Sequence, residues 1–351
     1  MVSMGSSRDA TGTPPPRTSC PDPSILHTMA DLGRLFPAAR VREVPLLRAA
    51  DLDARADPSG RTRIWLALEA LQVTGSFQVR GALVALALAM KHRPAAEEVV
   101  SSSVGNQGVA VAYAAAILGI SATVVVPCTA PRSKREKIEQ YGAELVVATA
   151  GAYEDAETLA LHIASSRQAV FLPSTDDMPR ALGNGASLGF EIARALGAAP
   201  DSVIVPFCND GLATGLSWTL AAEKEGSRPT VVWGVDSQVL RTGAPSRTLD
   251  PSFAQIVTLA DELAVGMNCP RSRSDASIKE CAPVGEREIA EAIAYAYRDI
   301  GLVIEGTAAV PLAPVLSGLP DPMRGGEVVV VLTGRNIDAE RLEAILAGAR
   351  G

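Results

Sequence analysis

Histidine and cysteine are scarce in this chain, and each scarcity removes a class of chemistry. Three histidines, His27, His92 and His162, are scattered through 351 residues, which argues against a histidine-based metal site or a nucleophile–histidine triad. Five cysteines, Cys20, Cys128, Cys208, Cys269 and Cys281, are odd in number and lack metal-type spacing, so neither a disulfide framework nor a zinc site is indicated. Basic charge is also short. With 32 Lys+Arg against 39 Asp+Glu the net charge is −7, which argues against nucleic acid or an anionic membrane surface as the main partner. A small-molecule site is the default that remains.

The opening stretch "MVSMGSSRDATGTPPPRTSCPDPS" has no apolar core of the kind a secretory signal needs, and its Ser, Thr and Pro cannot build a packed structure. Residues 1–25 are therefore expected to be disordered. One charge-free run, Val109 to Pro127, is long enough to raise the question of a membrane span. It divides, however, into an Ala-rich helix ("VAVAYAAAIL"), a turn ("GIS") and a β-branched strand ("ATVVVP"). A soluble, cytoplasmic protein is the expectation.

What the chain does have is 47% hydrophobic residues, enough for a large core, arranged as short β-branched runs each followed by a helical stretch. "EVVSSSV" precedes "QGVAVAYAAAILG", "ATVVVP" precedes "PRSKREKIEQYG", "ELVVAT" precedes "AYEDAETLALHIASS", and "SVIVPF" precedes "GLATGLSWTLAAEKEG"; "RIWLALE", "TVVWGVD" and "EVVVVLT" are further strand candidates. Strands alternating with helices predict an α/β fold with parallel sheets covered on both faces. Ligands then bind in the loops leaving the carboxyl ends of strands, here 101–108, 206–215 and 333–338. The charged stretch "SKREKIEQ" reads as a solvated helix face.

The first of these loops, "SSSVGNQGVAVAYAA", sets Gly105 and Asn106 where a strand ends and a helix begins, a natural anion site. Helix statistics alone favour an ordinary capping arrangement there. In the second, "VPFCNDGLATGL", Asp210 would repel a phosphate. Cys208, at the predicted helix mouth, is a weak nucleophile candidate, since the dipole favours a thiolate while Asp210 opposes it and free cysteines usually serve packing.

Six motifs in order, "TGSFQVRGA" (74–82), "SVGNQGVA" (103–110), "GNGASLGFEI" (183–192), "VIVPFCNDGLATG" (203–215), "VVWGVD" (231–236) and "VVVVLTGRNID" (328–338), resemble the tryptophan-synthase-like, fold type II pyridoxal-phosphate enzymes. That group includes threonine and serine dehydratases, cysteine synthases and threonine synthase. The resemblance implies two domains, each with a mainly parallel sheet flanked by helices. The expected division is a large domain of residues 26–97 plus 181–345 and a small domain of 98–180, in a homodimer. It also implies site roles. Phe77 matches the aromatic residue beside the family's Schiff-base lysine. Ser103, Gly105, Asn106 and Gln107 lie in the loop matching the one that holds a substrate carboxylate. Cys208, Asn209, Asp210 and Gly211 match a glycine-rich phosphate loop, and Thr333 matches the hydroxyl that meets the pyridine nitrogen.

The departures are as informative. Gln78 stands where the lysine is expected, and an amide neither forms an imine with an aldehyde nor abstracts an α-proton. The other lysines are Lys91, Lys134, Lys137, Lys224 and Lys279, none of which reads as sitting at a strand-to-helix junction. Val104 takes the place of a racemase serine, which disfavours racemisation. Arg335 replaces a glycine, and with Asp210 it either forms an ion pair, binds an acidic or zwitterionic ligand, or points to solvent. Gln78, together with a phosphate loop that has lost three of its four glycines and gained Asp210, points to a protein that has lost the cofactor, with pyridoxal phosphate disfavoured. Three readings stay open: a divergent member that binds or transforms a small amino-acid-like ligand without a Schiff base; a pyridoxal-phosphate-dependent ammonia-lyase or β-replacement enzyme; and a non-catalytic partner of an active homologue.

Overall fold

A computed structural model describes residues 29–149, 153–173, 178–207, 210–222, 229–238, 258–263 and 277–348. The stretch expected to be disordered, with Cys20 and His27, falls outside these residues, as do Cys208, Asn209 and Lys224. Ten strands occur among the described residues: β1 Leu46–Arg48, β2 Thr62–Ala67, β3 Glu98–Ser102, β4 Ser121–Pro127, β5 Glu144–Ala148, β6 Val170–Phe171, β7 Ser202–Pro206, β8 Val231–Val235, β9 Ile278–Glu280 and β10 Gly326–Val331. Helices α1 Met29–Ala38, α2 Ala50–Ala56, α3 Gln78–His92, α4 Asn106–Leu118, α5 Arg132–Gln140 and α6 Tyr153–Arg167 cover the first half. The second half holds α7 Met178–Arg180, which runs through a π turn into α8 Ser187–Leu196, then α9 Asp210–Ala222, α10 Glu286–Tyr295, α11 Gly306–Ala309, α12 Ala313–Ser317 and α13 Ala339–Gly348. No described helix is long and apolar enough to cross a membrane, and the charge-free run 109–127 divides into α4 and β4.

The chain folds as two compact units. The smaller contains residues 29–41 and 78–173, with its sheet in the order β5-β4-β3-β6 and every pairing parallel. Its α4 is Ala-rich and apolar on all sides, and ten of its residues are buried, as a helix packed between a sheet and other helices requires. The division differs from the one expected, because α1 and α3 pack with this unit. Arg80 on α3 is buried with its guanidinium 5.5 Å over the Phe36 ring, and the Tyr113 hydroxyl on α4 donates to the Ala39 carbonyl at 2.8 Å. Hydrophobic periodicity locates elements but is blind to such long-range partners.

The larger unit, residues 42–77 and 178–348 among those described, carries the sheet β1-β2-β10-β7-β8-β9, antiparallel only between β1 and β2. The unbroken valine run of β10 follows from burial on both faces: Val328 and Val330 enter one core with Ile64, Leu66 and Ile204, while Val329 and Val331 enter a second with Val203, Val205 and Leu216. On one face the π turn ahead of α8, residues 181–186, crosses α9 with almost no space between the backbones. A Cβ at Gly215 would lie 2.1 Å from the Ala181 carbonyl oxygen, and one at Gly185 would lie 2.3 Å from that of Leu212. This crossing fixes the position of α9, which begins at Asp210.

One reading of the sequence is corrected. Arg132 and Glu136 do pair on the exposed side of α5, but Lys134 is 0% exposed. With Ile138 it forms the buried stripe of that helix, and α5 directly follows β4, so Lys134 does stand at a strand-to-helix junction.

Candidate functional site

The strand-to-helix loop of the smaller unit is held by Ser103. Its Oγ accepts the backbone N–H of Gly105 at 2.9 Å and of Gly108 at 2.8 Å, closing the turn from below. Gly105 occupies the cap position of α4 without a side-chain cap of its own, and Asn106 opens the helix as a buried residue. Gly105 is thus the cap residue, as a Gly-Asn helix start suggests, and the side-chain acceptor that serves the first turn is the Ser103 hydroxyl. Gln107 is 8% exposed, and its Nε2 is buried without a hydrogen-bond partner. Buried amide donors are nearly always satisfied, so this one is equipped for a ligand.

Gln78 begins α3 in the same unit, half-buried, with Oε1 enclosed and without a hydrogen-bond partner. Its predecessor Phe77 ends a segment of the larger unit. There Ser76 forms an antiparallel bridge with Gly334, flanked by the Phe77 N–H to Thr333 carbonyl bond at 3.0 Å and the Arg335 N–H to Gly75 carbonyl bond at 2.9 Å. Side chains alternate across such a ladder, so Phe77 and Thr333 share one face while Ser76 and Gly334 share the other. The Thr333 Oγ1 is buried without a hydrogen-bond partner. An aromatic ring beside an unused hydroxyl suits a heteroaromatic ligand.

On the opposite face stand residues that the sequence did not single out. Glu305 is buried, and a Cβ at Gly334 would lie 2.0 Å from its Oε1 and 3.3 Å from the Ser76 Cβ. Its backbone N–H donates to the Gly334 carbonyl at 3.0 Å, and the buried hydroxyls of Ser76 and Thr307 lack hydrogen-bond partners. The available signal was a carboxylate ending the apolar run "LVI" just before the small residues "GTAA".

Arg335 is half-buried, and its guanidinium donates to the Ala70 carbonyl. It ties the 333–338 loop to the 69–71 turn instead of pointing freely to solvent. Cys208 and Asn209 lie outside the described residues, as does the side chain of Asp210, and so the pairing weighed for Asp210 and Arg335 does too. Gly211 is buried in the first turn of α9. His92 and His162 are exposed, and the described residues contain no cluster of three or more potential metal ligands.

Each unit thus carries a mainly parallel sheet with helices packed on it and loops at its strand ends, an α/β fold. A family model described as "Pyridoxal-phosphate dependent enzyme" matches residues 39–334, and the chain belongs to that family. L-threonine ammonia-lyase of Thermotoga maritima is 34% identical over 297 residues, covering 81% of this chain and 69% of its own. Serine racemase of Bos taurus is 28% identical over 280 residues, covering 78% and 83%. Among solved structures, a threonine deaminase from T.th. superposes with a TM-score of 0.69 at 29% identity, covering 89% of this chain and 99% of that one. A pyridoxal 5′-phosphate-dependent aspartate racemase reaches 0.72 at 23% identity, covering 90% and 98%, a likeness of fold.

Family membership overturns the expectation of a protein without cofactor, because the family points to pyridoxal phosphate being used. The inference from Gln78 and Asp210 considered one covalent anchor and one loop charge, and neither removes the non-covalent contacts. The described residues fit the group in that non-covalent sense. The Thr333 hydroxyl, buried and unused, suits a pyridine nitrogen, and Phe77 shares its face.

Proposed function

We propose that this chain is a pyridoxal-phosphate-dependent enzyme of amino-acid metabolism acting on a small hydroxy-amino acid of the threonine or serine kind by elimination of ammonia, with the cofactor held by hydrogen bonds and packing rather than by a bond to residue 78. The observation that carries it is the buried, unpartnered Thr333 hydroxyl across from Phe77. Relatedness to L-threonine ammonia-lyase supports the substrate class.

When bound, pyridoxal phosphate supplies an electron sink for charge developing at a substrate α-carbon. The chain's own residues do the rest. Thr333 would meet the ring nitrogen and Phe77 would pack on the ring. The start of α9 at Gly211 offers backbone N–H groups to a phosphate. Within the smaller unit, the Ser103–Gln107 loop, with its helix N-terminus and the Gln107 amide donor, is suited to a carboxylate. Gln78 holds a ligand donor through Oε1, but its amide has no basic lone pair, so proton transfer at the α-carbon falls to another group.

Gln78 also favours a second reading, in which the chain binds cofactor and amino acid without turnover and assembles with a lysine-bearing homologue. One experiment separates the two. Absorbance and intact mass after borohydride are measured for wild type and Gln78→Lys with added pyridoxal phosphate, alongside ammonia release from L-threonine and L-serine. The proposed enzyme gives a cofactor band that gel filtration removes, no covalent mass gain in wild type, and ammonia. A band without ammonia, with turnover gained in Gln78→Lys, supports the second reading. No band and no thermal stabilisation in wild type would sink both.

A further inference from the structure

We infer that Gln78 is the recognition residue for the ammonium of a free amino acid, so that the smaller unit binds its amino-acid ligand without any cofactor present; this rests on the proposed function for the identity of that ligand. Helix α3 ends at His92 and leads into β3, and the Arg93 guanidinium donates to the Ala169 carbonyl at 3.4 Å, beside the Val170 that pairs with Val99. Helix α4 ends at Leu118, and the Ser121 N–H that follows it donates to the Glu97 carbonyl at 3.0 Å, just ahead of β3. Both helices therefore finish at the amino end of β3.

They are also nearly equal in length, fifteen and thirteen residues, or about 22 and 20 Å. Packed on each other with their C-termini level, they start together at the carboxyl end of β3, and packed helix axes lie roughly 8–10 Å apart. Gln78 is the first residue of α3 and Gln107 the second of α4. Helical side chains lean toward the N-terminus, so both carboxamides reach toward the same end of the sheet.

The two amides present opposite halves of a recognition pair. Gln107 is 8% exposed and its Nε2 donor is buried without a hydrogen-bond partner, while the enclosed Gln78 Oε1 is an acceptor without one. The donor, beside the N-terminus of α4, suits a carboxylate. The acceptor suits an N–H group, and an ammonium makes the stronger, charge-assisted bond. An α-amino acid carries both groups on one carbon, so a single small ligand satisfies both amides. An amine at position 78 would repel that ammonium as a like charge, whereas an amide oxygen accepts from it.

The test uses the full-length protein stripped of cofactor and titration calorimetry with three probes: L-threonine, L-threoninol, which lacks the carboxylate, and 3-hydroxybutyrate, which lacks the amine. Wild type is compared with Gln78→Met, Gln78→Glu and Gln107→Met. Wild type should bind L-threonine without pyridoxal phosphate. Gln78→Met should lose about tenfold in affinity for L-threonine and L-threoninol, the size expected for one hydrogen bond to a charged group, and keep its affinity for 3-hydroxybutyrate. Gln107→Met should show the converse, weakening L-threonine and 3-hydroxybutyrate but not L-threoninol. Gln78→Glu keeps the acceptor and should hold L-threoninol at least as well as wild type, a rescue that a merely structural role would not give. Binding of L-threonine only after pyridoxal phosphate is added overturns the inference, as does an equal loss of all three probes in Gln78→Met, or no loss. Ammonia release with cofactor but no L-threonine binding to the stripped protein leaves the proposed function standing and removes this role for Gln78. The expected binding pattern without ammonia release does the reverse.

Discussion

Gly215 shows how much one hydrogen atom in place of a methyl can control. The Ala181 carbonyl lies where its Cβ would be, at 2.1 Å, and the Ala186 nitrogen at 2.4 Å, all of it backbone that cannot rotate away. Gly215→Ala must push α9 off the π turn ahead of α8, and overpacking of this kind typically costs ~1–3 kcal/mol. Because the same helix begins at Asp210 and Gly211, where a phosphate is proposed to bind, the variant should lose cofactor affinity beyond its loss of stability. Urea unfolding and pyridoxal-phosphate titration of the same samples check both effects. Gln78 is the contrasting residue: its Oε1 is buried without a hydrogen-bond partner and its amide forms no imine, so under the proposed function Gln78→Ala is expected to weaken cofactor retention without changing the borohydride result.

Elements are tied together by polar networks at strand starts. Arg167, at the end of α6, reaches Glu98 on β3 at 3.0 Å and Glu144 on β5 at 2.7 Å, while the Thr123 hydroxyl on β4 between them donates to either carboxylate. Hydrogen bonds from Arg167 and then Thr123 hold the Glu144 carboxyl below its ordinary 4.5. A carboxylate with a depressed folded-state pKa contributes stability that is present above its ordinary pKa and lost as pH falls through the depressed one. Arg167→Met leaves two like charges across Thr123. It should cost up to about 1 kcal/mol, given the solvent exposure of the network, and remove part of the acid sensitivity below pH 4.5, as urea unfolding at stepped pH would register.

A second pH-dependent element sits at the end of α2. The Asp57 carboxylate, held first by the Ser59 hydroxyl and then by the Ser59 N–H and the Thr62 hydroxyl, titrates at about 2 instead of 3.8. Its contribution is therefore complete above pH 3.8 and fades as pH falls toward 2. Asp57→Asn should flatten the acid limb of the unfolding curve in that window. An unaltered limb would mean that the carboxylate is equally stabilised in the unfolded chain.

At the scale of the whole molecule, ligand binding and folding are one equilibrium. A cofactor that binds only the folded chain adds RT ln(1 + [L]/Kd), about 2.7 kcal/mol at a hundredfold excess over Kd. Added pyridoxal phosphate should raise the melting temperature in proportion to the logarithm of its concentration, and desalting should return it to the starting value. In Gln78→Lys the gain should survive desalting. A wild-type gain that also survives it would point to a covalent link through another lysine.

The sequence by itself determined the order and type of most elements, because β-branched runs and Ala-rich or amphipathic runs differ in period and that difference is local. It placed β2, β3, β4, β5, β7, β8 and β10 to within a residue or two, located the Ser103–Asn106 loop, and carried the six motifs of the family. It did not see β1, β6 or β9, which are only two or three residues long and owe their existence to a neighbouring strand. Tertiary structure alone decided that α1 and α3 join the smaller unit, that Lys134 is buried, and that Glu305, Ser76 and Gly334 meet. Each of these depends on contacts between residues distant in the chain, and burial of a charge or close approach of two backbones leaves no periodic trace in the residues on either side.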